Sequence, residues 1–252
     1  MAHVLMPRFA KIVNKSVNGQ FGSVTLEGEH LDSINPLGPT DHIRIVLPNA
    51  EGVLELDEVD DTLRPAPGAI IRDVTVESQW DNRIALDVVL HEDGPLADWV
   101  NNAEIGSEVA LFGPKSSKLM PPAPKLVLAA DASALPALAR WLRLANEDQE
   151  ITAIVSADFD PSEYLGWHPE VDLRVIPVDY TGESLLAAMQ AVNPSYDSYV
   201  WIAGEATTLV LTRRWLRQAS AVNIENIKAD GYWRVGEAGR DHHQPIDPAD
   251  QL

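Results

Sequence analysis

The hydrophobic pattern of the chain changes at a proline cluster, Pro121-Pro122-Ala123-Pro124, and this change limits the possible folds more than any other feature. Before the cluster, short β-branched runs alternate polar with apolar residues, which is typical of antiparallel sheets. After it, unbroken apolar runs alternate with segments of helical periodicity, the pattern of a parallel sheet with helices on both faces. We therefore predict two domains, 1–122 and 123–238, followed by a flexible C-terminal tail, 239–252.

The first domain is predicted to be a small closed or nearly closed barrel of six or so strands without long helices. The predicted strands are Phe9–Val13, Phe21–Gly28, Asp41–Pro48, Ile70–Ser78, Ile84–His91 and Ser107–Phe112. Ile70–Ser78 and Ile84–His91 flank the short polar break Asp81-Asn82, which predicts that these two runs pair with each other. The acidic segment from Glu51 to Asp61 is interpreted as a solvated loop.

A short helix is predicted after the second of these runs, because Gly94-Pro95 opens a segment of helical periodicity. The barrel then presents Arg72, Thr75 and the start of this helix close together. A fixed cation, a hydroxyl and free amides at a helix start are the groups that a phosphorylated cofactor needs. This end of the first domain is therefore the predicted cofactor site.

In the second domain, ligands are expected beyond the carboxyl ends of the parallel strands. Three such ends carry polar side chains, at 131–133, 156–158 and 204–207.

Composition excludes several classes of function. The net charge of −19 and the pI near 4.6 argue against nucleic acid, because its phosphates would be repelled over most of the surface. No apolar run is long enough for membrane insertion. The absence of cysteine excludes disulfides and iron–sulfur clusters and is compatible with a cytoplasmic protein. Asp241-His242-His243 is interpreted as a solvated tail segment in preference to a metal site.

Seven short motifs, in order along the chain, resemble the siderophore-interacting protein family. They are Asp41–Ile45, Arg72–Val76, His91–Trp99, Gly113–Lys115, Asp131–Ala137, Ala203–Glu205 and Gly231–Gly236. This family consists of cytoplasmic flavin reductases that release iron from ferric siderophores. The resemblance implies a two-domain ferredoxin-reductase-like fold, in which an antiparallel Greek-key β-barrel binds FAD and an NAD(P)-binding-like α/β domain follows.

The resemblance also implies roles for individual residues. In the barrel, Arg72 would bind the flavin phosphate, Thr75 would lie near the flavin N5, and Val74 stands where the family has a tyrosine. The residues implied to line the phosphates are His91, Gly94, Pro95, Lys115 and Ser117. From the residues alone, the alternative is that Arg72 is a surface arginine paired with Asp73 or Glu77.

In the α/β domain, the resemblance implies that Asp131, Ser133 and Glu205 face the nicotinamide or the flavin. Tyr232 and Trp233 would form a terminal aromatic lid, since a ring can stack on a flat cofactor. Two alternatives stay open: Asp131 or Ser133 caps the following helix, and Trp233 is a buried structural residue.

Ferric siderophores are often anionic, and the resemblance implies that a few basic side chains hold them. The candidates are Arg44, Lys118, Arg213, Lys228 and Arg234, with Arg214 and Arg217 on the same helix as Arg213. The alternative is that these cations pair with surface acids.

We therefore predict a cytoplasmic reductase in which electrons from NADH, NADPH or a reduced ferredoxin pass through FAD to a ferric siderophore. Three departures from the family pattern, Val74, Glu77 and Glu92, favour an alternative. In that alternative the chain is a flavin-free member of the same fold that binds a siderophore or a partner protein.

Overall fold

The computed structural model describes residues 7–59, 61–91, 94–114, 117–166, 172–237, 239, 244–247 and 249. The chain divides into two compact units, Met1–Leu119 and Met120–Leu252. No helix of the described residues is long and apolar enough to cross a membrane.

The described part of the first unit is built almost entirely of strands. They are β1 (Arg8–Asn18), β2 (Phe21–Glu27), β3 (His42–Leu47), β4 (Leu56–Val59), β5 (Thr62–Pro65), β6 (Ile70–Thr75), β7 (Ser78–Trp80), β8 (Arg83–Val89) and β9 (Glu108–Phe112), with helix α1 (Pro95–Asn102) between the last two. Seven of them form one antiparallel sheet in the order β6-β3-β9-β1-β2-β8-β7.

This sheet curls back on itself. Its two edge strands, β6 and β7, follow one another in the chain with only Val76 and Glu77 between them. The chain can reach the far edge so quickly only if the two edges lie side by side. Directly after the change of edge, Glu77 N donates to Ala85 O of β8 at 2.9 Å. Alternate side chains of the strands, such as Ile12, Ile45 and Leu86, are fully buried in the barrel core. The predicted antiparallel barrel is confirmed.

Two details of the first unit differ from the sequence prediction. β6 pairs with β3, whereas β7 forms the hairpin with β8 across Asp81-Asn82, because the chain changes edges after β6. The acidic segment is not a plain loop: β4 and β5 pair within it as a two-stranded ladder. Backbone hydrogen bonds form this ladder, so exposed acidic side chains do not prevent it.

The second unit is a parallel sheet with helices on both faces. Its elements are β10 (Lys125–Asp131), α2 (Leu135–Leu144), β11 (Glu150–Ser156), α3 (Pro161–Leu165), β12 (Asp172–Val178), α4 (Gly182–Val192), β13 (Ser198–Glu205), α5 (Ala206–Gln218) and β14 (Ile227–Trp233). The strand order is β12-β11-β10-β13-β14, with every pair parallel.

The burial pattern shows which helices cover which face. Val200 and Ile202 of β13 pack in one core with residues of α4 and α5. Trp201 lies on the opposite face of the same strand and packs against Trp141 of α2, with the two ring centroids 5.8 Å apart. The predicted α/β architecture is confirmed.

Part of the segment predicted to be a flexible tail packs on this unit. Ile246 is 5% exposed and belongs to the α4–α5 core, and Asp247 is 1% exposed. Asp247 accepts two hydrogen bonds from Arg214 of α5. Ile246 is therefore held by apolar packing and Asp247 by an ion pair, both with residues far away in the sequence.

Candidate functional site

Arg72 is a partly buried cation on β6. Burial lowers the pKa of its guanidinium, and its Nη1 donates to the carbonyl of Ile71 at 2.6 Å. Within the described residues it forms no ion pair with a carboxylate, since Asp73 pairs instead with Arg44 at 3.3 Å. A partly desolvated guanidinium that has no carboxylate partner among the described residues is suited to an anionic ligand.

The topology places Arg72 toward the same end of the barrel as helix α1. Five antiparallel steps separate β6 from β8 in the sheet, so the two strands run in opposite directions. The beginning of β6 and the end of β8, after which α1 starts, therefore lie at one end. The sequence prediction that Arg72 and the start of α1 belong to one region agrees with this arrangement.

Helix α1 begins at a residue that has no side chain to cap it. Gly94 is the N-cap residue in an extended conformation, no side chain of the described residues is seen to cap the helix, and Pro95 occupies the first turn. A Cβ on Gly94 would lie 2.4 Å from Cε1 of His91, so the imidazole rests directly on the glycine. Uncapped amides at a helix start bind phosphate groups.

Val74 and Thr75 are both buried, at 5% and 8% exposure. Val74 lies opposite Ile43 of β3 and packs in the barrel core, while Thr75 lies opposite His42. Val74 therefore provides packing inside the barrel and offers little surface to a ligand. Thr75 retains a small exposed fraction.

The segment after β9 is held by a buried carboxylate. Ser117 Oγ donates to Asp41 Oδ2 at 2.5 Å, and Gly38 N donates to the same oxygen at 2.9 Å. The hydroxyl of Ser117 is thus engaged in fixing this loop, and the exposed Lys118 follows it. Lys115 lies outside the described residues.

In the second unit, three predicted residues meet at the carboxyl edge of the sheet. Asp131, Glu205 and Trp233 end β10, β13 and β14. The strand order reverses between β10 and β13, and this is where open α/β sheets bind ligands. Asp131 Oδ2 accepts from the backbone N of Glu205 at 2.8 Å and from Trp233 Nε1 at 2.9 Å.

The other oxygen of Asp131 caps the next helical segment. Oδ1 accepts from Ser133 N at 2.9 Å and from Ser133 Oγ at 2.5 Å. Asp131 is 7% exposed, and burial raises the pKa of its carboxyl group. These contacts are those of a helix cap, the alternative role given above for Asp131 or Ser133. Both oxygens of Asp131 accept hydrogen bonds from described residues, so neither is left free for a ligand.

Glu205 has an equivalent role at α5. Its Oε2 accepts from Thr208 N at 2.7 Å and from Thr208 Oγ1 at 3.1 Å. At α4, Thr181 Oγ1 accepts from Ser184 N at 3.1 Å. The chain's own side chains therefore occupy amides at these helix starts.

Tyr180, which follows β12, was not identified from the sequence. Its hydroxyl accepts a hydrogen bond from Ala132 N at 3.4 Å. Burial, with the nearby Asp131 charge, raises the pKa of Tyr180 to about 12. The sequence signal that could have identified Tyr180 is its position just beyond the carboxyl end of a parallel strand, where such sheets bind ligands.

Trp233 is 40% exposed, although its indole nitrogen is bonded to Asp131. The preceding residue, Tyr232, is partly buried. The pairing of β14 with β13 shifts register here, from Gly204–Gly231 to Glu205–Trp233. Tyr232 is thus the extra residue of a β-bulge, and such bulges redirect the side chains that follow.

Among the described residues, ion pairs with acids of the chain are seen for Arg44, Lys228 and Arg234, which are predicted to hold a siderophore. The pairs are Arg44 with Asp73 at 3.3 Å, Lys228 with Asp230 at 3.1 Å and Arg234 with Glu237 at 3.8 Å. Arg213 is partly buried on α5 and Lys118 is exposed. The large excess of acids over bases explains these ion pairs. The described residues contain no group of three or more acids and histidines able to hold a metal, and Asp241-His242-His243 lies outside them.

Two family models match the chain in succession. The siderophore-interacting FAD-binding domain matches residues 12–118, and the siderophore-interacting protein model matches residues 123–236. The chain belongs to the siderophore-interacting protein family. The family prediction made from the seven motifs is confirmed.

Two curated proteins and one solved structure are similar to the chain over most of its length. Ferric vibriobactin reductase ViuB of Vibrio cholerae is 26% identical over 94% of this chain and 93% of its own length. The NADPH-dependent ferric-chelate reductase of Escherichia coli is 25% identical over 87% of this chain and 89% of its own. The crystal structure of a siderophore utilization protein from T. fusca aligns with a TM-score of 0.81, 29% identity, and 97% and 98% coverage of the two chains.

The wider fold is that of ferredoxin reductases. The ferredoxin reductase of carbazole 1,9a-dioxygenase aligns with a TM-score of 0.65 over 91% of this chain and 68% of its own. Because the identity is 17%, this likeness concerns the fold alone. The predicted ferredoxin-reductase-like fold is confirmed.

Proposed function

We propose that this member of the siderophore-interacting protein family is an FAD-dependent reductase that releases iron from ferric siderophores. The observation that carries the proposal is Arg72, a partly buried guanidinium without a carboxylate partner among the described residues. It lies toward the same end of the barrel as the start of α1, where the N-cap residue is a glycine, and inside the segment that matches the FAD-binding domain.

The residues of this end suit the phosphates of FAD. Arg72 would bind phosphate oxygens with its planar fork, and the first amides of α1 would donate to the same group. Gly94 allows a close approach of backbone and ligand, and His91 covers its other side. Thr75 would orient the flavin ring through its hydroxyl. When bound, FAD supplies the redox chemistry, because it accepts electrons in pairs and passes them singly to ferric iron.

The protein itself contributes binding, orientation and electrostatics, and no side chain is assigned as a general acid or base. Reduced iron binds hard oxygen ligands less tightly than ferric iron, so reduction labilises the complex. The electron donor is NADH, NADPH or a reduced ferredoxin. The proposed location is the cytoplasm, as the family resemblance implies. Lys118, which is exposed, and Arg213 are proposed to contact an anionic substrate, together with the ion-paired cations Arg44, Lys228 and Arg234.

Val74 supports a second candidate function, a flavin-free member that binds a siderophore or partner protein. An aliphatic side chain packed in the barrel core cannot stack on a flavin as a tyrosine would. Loss of one stacked ring costs about 1–3 kcal/mol, or roughly one to two decades in affinity.

Titration of the protein with FAD, followed by flavin fluorescence, tests the proposal. Wild-type protein is expected to bind, and Arg72→Ala is expected to raise the Kd by about 10- to 100-fold, as loss of a charge-assisted hydrogen bond does. Arg83→Ala is the matched control, because Arg83 is an exposed arginine of the same sheet paired with Glu27. Equal Kd values for the two variants, or no binding by the wild type, would contradict the assigned phosphate site.

A further inference from the structure

Trp233 combines an anchored nitrogen with an exposed ring. Its Nε1 donates to the buried Oδ2 of Asp131 at 2.9 Å, yet 40% of the residue is exposed. The β-bulge at Tyr232 sets Trp233 opposite Glu205 at the carboxyl edge of the sheet. The indole is therefore fixed by its edge, and part of its surface remains open.

Asp131 is well placed to act as such an anchor. Four donors surround its two oxygens, namely Ser133 N, Ser133 Oγ, Glu205 N and Trp233 Nε1. The carboxylate also needs the glycine beside it, since a Cβ on Gly204 would lie 2.4 Å from Oδ2, and Gly204 has φ of +140°. Its position is thus set by the backbone of two neighbouring strands before Trp233 adds its bond.

A second tryptophan–aspartate pair in the same unit shows the contrast. Trp201 Nε1 donates to Asp230 Oδ2 at 3.0 Å, but Trp201 is fully buried against Trp141. That pair satisfies a buried polar atom. At Trp233 the same bond holds a ring that is not buried, at the edge where parallel sheets bind ligands.

We propose that Asp131 is a positioning residue that holds the indole of Trp233 as a stacking surface for the flat ring of a nicotinamide nucleotide. This inference rests on the proposed function, since it concerns the electron donor of the same reaction. Asp131 itself would not touch the nucleotide, because both its oxygens are engaged within the protein.

The anchor is tested by NMR of the indole N–H groups. Seven tryptophans give seven indole signals, and Trp233→Phe identifies the signal of Trp233. Asp131→Asn is expected to move that signal and speed its hydrogen exchange, while leaving the Trp201 signal in place. Asp230→Asn, the matched control, is expected to do the reverse. A Trp233 signal that is unchanged in Asp131→Asn would overturn the anchor.

The stacking role is tested by the Kd of NADH, followed by tryptophan fluorescence. Trp233→Ala, which removes the ring, is expected to weaken binding by about 10- to 100-fold. Trp233→Phe keeps a ring but loses the anchor, and a change of a few-fold is expected. Asp131→Asn should have the same small effect, and the double variant should be no weaker than Trp233→Phe alone.

Additive effects in the double variant, or an NADH Kd that does not respond to Trp233→Ala, would overturn the proposal. Circular dichroism and thermal melting of each variant show that it is folded. If Asp131→Asn does not fold, Trp233→Phe and Trp233→Ala still test the stacking role. None of these measurements involves iron. Intact NADH binding without reduction of a ferric siderophore would therefore count against the proposed function and not against the anchor.

Discussion

At the scale of single residues, the chemistry of Arg72 depends on its planar fork as well as on its charge. Lysine at this position keeps the positive charge but provides a compact point charge without bidentate geometry. Arg72→Lys is therefore expected to give an FAD affinity between those of the wild type and Arg72→Ala. Titration under the conditions used for the alanine variant measures this. A Kd equal to that of the wild type would show that charge alone is sufficient.

The ion pair of Asp247 with Arg214 makes stability depend on pH in acid. Arg214 donates hydrogen bonds to Asp247 and lowers the pKa of its carboxyl group from 3.8 to about 2. A carboxyl group whose pKa is lower in the folded than in the unfolded protein stabilises the fold at pH values above its unfolded pKa. This stabilisation is lost as the pH falls through the folded pKa.

Asp247→Asn is therefore expected to lower the melting temperature near neutral pH, and the difference from the wild type should shrink between about pH 4 and pH 2. Thermal melting followed by circular dichroism across this range measures it. Asp172→Asn, at an exposed residue beginning β12, is the control. A difference that stays constant down to pH 2 would show that the ion pair does not account for it.

At the scale of elements, the contact between His91 and the start of α1 gives a prediction. A Cβ on Gly94 would overlap the His91 ring, at 2.4 Å from Cε1. Gly94→Ala is therefore expected to displace the ring or the helix start and to weaken FAD binding about tenfold. Because the overlap is with a side chain, His91→Ala in the same protein should restore most of the affinity. Failure of this rescue, with His91→Ala alone binding FAD like the wild type, would mean that the backbone at Gly94, and not the overlap, controls binding.

The elements also show what the sequence could and could not predict. Period-two patterns identified six strands of the first unit, namely β1, β2, β3, β6, β8 and β9, because the alternation of burial is local. In the second unit, the alternation of apolar runs with helical patterns predicted the architecture. β14 was missed, since Lys228 and Asp230 interrupt its apolar character and their ion pair is visible only in the folded chain. The pairing of β6 with β3 was also missed, because the barrel closes through a change of edge after Thr75.

For the site, the motif around Arg72 and Gly94 indicates a phosphate site, which stays a prediction. The strand-end rule indicated Asp131 and Glu205, and the structure places both at the carboxyl edge of the parallel sheet. The hydrogen bond between Asp131 and Trp233 joins residues 102 positions apart in the chain. No local pattern reports such a contact, so the anchoring role of Asp131 required the structure.

At the scale of the whole molecule, the net charge of −19 should govern the capture of an anionic substrate. Like charges slow the encounter, and salt screens this repulsion, since the Debye length falls from about 10 Å at 0.1 M to about 3 Å at 1 M ionic strength. For an anionic ferric siderophore, KM is expected to fall several-fold as ionic strength rises. A neutral ferric chelate is the control, with a KM that changes little. A KM that rises with salt for the anionic complex would show that local cations dominate capture.

The most direct test of the proposed reductase function is a visible absorption spectrum of the purified protein. The spectrum is taken anaerobically after incubation with excess FAD and removal of unbound cofactor. We predict retained flavin bands that bleach on addition of NADH, NADPH or a reduced ferredoxin and return when a ferric siderophore is added. A protein that retains no FAD would contradict the reductase and leave the flavin-free binding function. A bound flavin that stays reduced in the presence of the ferric complex would contradict the reductase as well.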